Sequence, residues 1–160
     1  MRSLLTRSVL AVGAAALAIG VTATGVARPA AEAPSAEALV AARQAAFRLN
    51  LASFLAVKAA IARGDDVKTL ALPAGAMAGW AQAMPGLFPA GATTPQSKAL
   101  PTVWSDRQGF EAAAANMAMA AAKLNELARA GDATGFQAQY AVLGGTCAAC
   151  HDKYRQPEQR

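Results

Sequence analysis

Near its C-terminus the chain reads Cys147-Ala148-Ala149-Cys150-His151, two thiols three positions apart with an imidazole directly after the second. They are its only cysteines and its only histidine. Thiols at that spacing can add across the two vinyl groups of a haem to give thioethers, and the adjacent imidazole then reaches the iron as axial ligand. On a helix turning about 100° per residue, Cys147 and Cys150 share a face and His151 borders it. Paired thiols also serve as thioredoxin-like redox couples, zinc half-sites and structural disulfides. A redox couple calls for a strand-to-helix turn in a βαβ setting, which the flanking sequence lacks. Zinc takes about four ligands, and the chain offers no second cysteine pair and no second histidine. Covalent haem is the reading that uses all three residues, with a disulfide as the alternative.

The element that must position them is a last helix starting at an Asp132 cap. On a wheel of about 3.6 residues per turn, Phe136, Tyr140, Leu143, Cys147, Cys150, His151 and Tyr154 gather on one side, so the motif faces a core. Gly144 and Gly145 interrupt good helix formers just before it and predict either room for a flat macrocycle or a local kink. A preceding helix opens at Ser105-Asp106-Arg107-Gln108, which fits a capping box, and ends at Ala130 before Gly131. Its inner face is Phe110, Met117, Ala121, Leu124 and Ala128. A first helix runs from a Ser35 cap to Arg63 before Gly64, with Val40, Phe47, Phe54 and Ile61 at seven-residue spacing, Leu51 alongside, and Lys58 interrupting the stripe. A second helical segment lies between Asp65 and Met84, where Pro73 must start or kink a helix. Pro85 to Trp104 is a long proline-containing connection that should pack against something.

Upstream, Arg2 and Arg7 precede an uncharged run from Val9 to Ala27, the pattern of an export signal spanning 1–27. Cleavage fits after Ala23 or Ala27, and the length also admits an uncleaved anchor, although its Ala and Gly content makes a weak membrane span. Loss of Arg2 and Arg7 lowers the formal charge from +5 to +3. No cluster of basic residues interleaved with aromatics appears, so a nucleic-acid partner is not expected. Low aromatic content and abundant alanine favour packed helices in one domain, 35–157.

Four helices, a long middle connection and a C-terminal C-x-x-C-H resemble the class II c-type cytochromes, the cytochrome c′ family. The resemblance is carried by Arg43-Gln44-Ala45-Ala46-Phe47, Leu87-Phe88-Pro89-Ala90-Gly91, Val103-Trp104-Ser105-Asp106 with Phe110, and the run from Cys147 to Arg155. It implies an all-α, antiparallel up-down-up-down four-helix bundle with one covalent haem c, attached by Cys147 and Cys150 and ligated by His151. It further implies that Phe47 covers the opposite haem face, that Arg43 and Gln44 lie near the propionates, and that Tyr154 and Arg155 meet the haem edge. From spacing alone, Phe47 reads as core, Arg43 as a solvated helix charge, Tyr154 as a packed last-turn side chain and Arg155 as solvated.

Some members of that family take a sixth ligand from a methionine of the first helix, and here that helix has none. The resemblance therefore implies a five-coordinate, high-spin haem that binds nitric oxide or carbon monoxide. Met117 is the one alternative ligand, and core filling is its ordinary reading. The expected role is electron transfer in the periplasm with small redox proteins as partners, and homodimers form in the family. The alternatives are a six-coordinate low-spin carrier and a gas-binding protein without a redox partner. An enzyme is not expected, because no distal acid-base residue is evident.

Overall fold

The computed structural model describes residues 33–157; the leader expected over 1–27 lies outside them. Helix α1 spans Ala36–Arg63, with the Ser35 hydroxyl accepting from the Ala38 amide at 3.2 Å and Gly64 closing the other end at φ 74°. A positive φ is strained for any side-chain-bearing residue, which is why glycine ends this helix. A 3₁₀ turn at Val67–Leu70, capped by Asp66, leads into α2, Ala71–Ala83. Pro73 lies in the first turn of α2, where a backbone N–H has no intrahelical acceptor anyway, so it starts the helix without breaking it.

The connection passes through a 3₁₀ turn at Met84–Leu87 and a single helical turn α3, Thr102–Ser105. Helix α4 is Arg107–Ala130 and α5 is Ala133–Tyr154. The N-cap of α4 is Asp106, whose carboxylate accepts from the Gly109 amide, so the capping box expected at Ser105 does not form. Ser105 is spent in the last position of α3, and the stronger anionic acceptor takes the cap. Among the described residues there are no strands, and α1, α2, α4 and α5 form an antiparallel four-helix bundle.

The core has two parts. The larger unites Val57, Leu70, Met77, Met117, Leu124, Phe136 and Leu143. Each such side chain removed from water contributes about 1.5–3 kcal/mol. The smaller holds Met84, Phe88, Val103, Phe110, Ala114 and Tyr154, flanked by the partly buried Phe47, Trp80, Leu87 and Cys150. Helices α1 and α5 meet where Phe54 stacks on Tyr140 at 4.3 Å and the Tyr140 hydroxyl donates to the Phe54 carbonyl at 3.0 Å. A Cβ on Gly144 would come within 3.3 Å of Phe54 Cζ. That glycine therefore makes room for Phe54, and α5 runs through Gly144 and Gly145 without interruption.

Candidate haem site

Cys147, Cys150 and His151 are all half-buried on the last two turns of α5, and both thiols are free. Burial pushes both thiols above the ordinary cysteine range, and for Cys150 the neighbouring Cys147 adds to the effect. The two thiols are not joined in a disulfide. Among the described residues no group of three or more His, Cys, Asp or Glu could hold a metal ion.

The end of α5 is tied down tightly. Asp106 Oδ2 accepts from the Tyr154 hydroxyl at 2.8 Å and from Lys153 Nζ at 2.6 Å. These bonds, from Lys153 first, hold the Asp106 carboxyl below the usual carboxylate range. The Leu100 amide donates to the Tyr154 carbonyl at 3.0 Å, the Thr102 hydroxyl to the Lys153 carbonyl at 2.7 Å, and the Gln156 amide to the Lys98 carbonyl at 2.8 Å. Arg155 pairs with Ala99 in an isolated bridge, and its amide donates to the His151 carbonyl. The turn bearing the imidazole is thus fixed against the long connection.

Across the smaller cluster, the Phe47 ring meets the Trp80 ring edge-on at 5.0 Å and 87°. Phe47 and Cys150 flank the same buried cluster, so the structure brings the first-helix aromatic and the haem motif to one apolar region. Met117 belongs to the larger cluster instead. Gln44 Nε2 donates to the Gln96 carbonyl at 2.9 Å.

Arg43 differs from the solvated charge that its helix position allows: it is only 3% exposed. Its Nη1 donates to the Leu87 and Ala92 carbonyls at 3.3 and 2.7 Å, and its Nη2 to Ser97 Oγ at 2.7 Å. The guanidinium also lies 4.2 Å over the Phe88 ring. Burial lowers its pKa, and the fork of donors answers that cost by holding the connection against α1. Arg107 works in the same way from α4, reaching the Phe88 and Pro85 carbonyls at 2.9 Å.

A haem fits this donor set and this surface. Two free thiols and one imidazole would hold it, and a pocket of about 370 Å³ opens between α4 and α5 beside Cys150. Phe47, Trp80 and Leu87 carry apolar area that protein atoms cover only partly. Sequence reasoning missed Trp80, whose buried Nε1 has no hydrogen-bond partner among the described residues, and Asn50, whose buried Oδ1 has none either. No spacing rule marks such atoms; only packing does.

A four-helix bundle carrying C-x-x-C-H on its last helix defines a class II c-type cytochrome. The family model described as Cytochrome C' matches residues 38–155, and the chain belongs to the cytochrome c′ family, whose cofactor is haem c. It is similar to cytochrome c′ of Rubrivivax gelatinosus, 42% identical over 60 residues, covering 38% of this chain and 46% of that protein. Cytochrome c′ of Pararhodospirillum photometricum is 38% identical over 82 residues, covering 51% and 66%. The chain thus spans about half to two thirds of these relatives. Among solved structures, the R. gelatinosus cytochrome c′ superposes with a TM-score of 0.70 at 30% identity, covering 78% of this chain and all of that one. A nitric oxide complex of a cytochrome c′ variant from Alcaligenes xylosoxidans gives 0.72 at 25% identity, covering 79% of this chain.

Proposed function

We propose that this protein is an exported, periplasmic monohaem cytochrome whose iron is five-coordinate, transfers electrons to small redox proteins and binds diatomic gases at its open face. Residues 1–27 would be its leader and 35–157 its haem domain. In this reading Cys147 and Cys150 hold the haem as thioethers and His151 supplies the axial nitrogen. The observation that carries it is the shared cluster of Phe47 and Cys150; Met117 lies in the other cluster, and Met84, 2% exposed within the shared one, is packed as core. A hydrocarbon ring over the iron offers no sixth ligand.

When bound, the haem supplies one-electron chemistry and a coordination position for a small molecule. The chain's own work is to fix the imidazole, exclude water and ration access. The Tyr154, Lys153 and Asp106 contacts hold the His151 turn. Phe47 and Trp80 make the opposite face apolar, which admits small uncharged ligands and gives no acid or base for peroxide cleavage, so we read no enzyme here. The nitric oxide complex of the A. xylosoxidans variant supports the choice of ligand. Arg43 and Gln44 would stand near the propionates, and Tyr154 and Arg155 at the haem edge.

The outer face of α1 exposes Ala45, Leu49, Ala52, Leu55, Ala56 and Ala59, with Leu49 71% and Leu55 51% exposed. Such an apolar face fits a homodimer through α1. Optical spectra of the reduced holoprotein with and without carbon monoxide test the central reading. A broad unsplit band that sharpens with carbon monoxide is expected; narrow split bands indifferent to the gas would refute it.

A further inference from the structure

We propose that Trp80 is a positioning residue that holds Phe47 over the ligand face and thereby sets the rate at which small molecules reach the iron. The inference deepens the open-site reading above and rests on it. Phe47 sits on α1, where its ring is half-buried and has no polar atom to anchor it. Its edge-on contact with Trp80, at 5.0 Å between ring centres and 87° between planes, is the aromatic pairing that fixes its orientation.

Trp80 is itself well fixed. It packs against both core clusters, and its helical neighbours Ala81 and Met84 are 0% and 2% exposed. A ring wedged between two cores moves little, so it can serve as the wall against which a freer ring rests.

Among the described residues the Phe47 ring pairs with no other aromatic ring, so its orientation rests on the wall that Trp80 provides.

Admission of a ligand then requires Phe47 to swing aside and give up the contact with Trp80. Losing one edge-on aromatic contact corresponds to roughly a 2- to 10-fold change in rate. The test is carbon monoxide association to the reduced holoprotein by flash photolysis in four proteins: wild type, Trp80→Leu, Phe47→Ala and the double variant. Trp80→Leu is expected to speed association roughly 2- to 10-fold, and to change nothing further once Phe47 is alanine. Trp80→Phe, which restores an aromatic wall, should return the rate toward wild type and guards against a folding defect in the leucine variant. The spectrum of the unliganded reduced protein should stay unchanged in all four. An equal effect of Trp80→Leu with and without the Phe47 ring, or no effect at all, overturns the positioning role while leaving the open site intact. A wild-type protein that forms no carbon monoxide adduct overturns both.

Discussion

Arginine 43 offers the most quantitative test of how the site is built. Replacing it with methionine keeps the stem and removes the fork. The loss comprises the bonds to the Leu87 and Ala92 carbonyls and Ser97 Oγ, together with the stacking on Phe88. Hydrogen bonds from a charged donor contribute about 1.5–3 kcal/mol each, and a desolvated cation–π contact adds about 2 kcal/mol. Against this stands the desolvation of a guanidinium only 3% exposed, which costs several kcal/mol and is recovered in the variant. The buried Ala92 carbonyl and Ser97 hydroxyl, left without their donor, tip the balance. The net expectation is a loss of about 2–4 kcal/mol. For a domain of this size that is roughly 8–16 °C in Tm, read by far-ultraviolet circular dichroism of the holoprotein. Arg43→Lys keeps the charge but cannot fork, and should recover only part of the loss. A methionine variant melting within about 2 °C of wild type would show that the buried guanidinium does not hold the connection.

Phe47→Ala should speed carbon monoxide association while leaving the iron five-coordinate, as flash photolysis and optical spectra will show. Gly145→Ala should raise stability by up to about 1 kcal/mol, because a Cβ there meets nothing within 4 Å; a drop in haem incorporation would mean that the cofactor needs the space. Asp106 has a depressed native pKa, so its contribution is present above the unfolded carboxylate value of about 3.9 and disappears as pH falls through the lower native one. Acid unfolding of Asp106→Asn should accordingly begin from a less stable protein at neutral pH and show a shallower loss below about pH 4 than wild type. Leu49→Glu on the outer face of α1 should shift any dimer to monomer in light scattering, with the helical content of the monomer unchanged.

Much of the fold is written locally. Ser35, Gly64, Gly131 and Asp132 are capping residues whose chemistry acts within a few positions, and they end or start helices where their types imply. The inner faces of α4 and α5 follow from periodicity, since every residue expected on the α4 face is buried. The misreadings arose where distant parts decide. Ser105 lost the α4 cap to Asp106 because α3 precedes it, and Gly144 answers to Phe54, far away in sequence. Leu51 joins the α1 stripe by spacing, yet it is 55% exposed. In the site, the thiols and imidazole were legible because covalent chemistry demands adjacent residues. The burial of Arg43 and the pairing of Phe47 with Trp80 were not, since each depends on segments dozens of residues apart.

Resonance Raman spectroscopy of the reduced holoprotein addresses the coordination of the iron most directly, because an iron–histidine stretching mode is seen only when the opposite position is vacant. A five-coordinate haem on His151 beneath Phe47 predicts that mode in the wild type and its disappearance on adding carbon monoxide. A low-spin, six-coordinate spectrum without it, unchanged by the gas, would contradict the open site and leave a plain electron carrier.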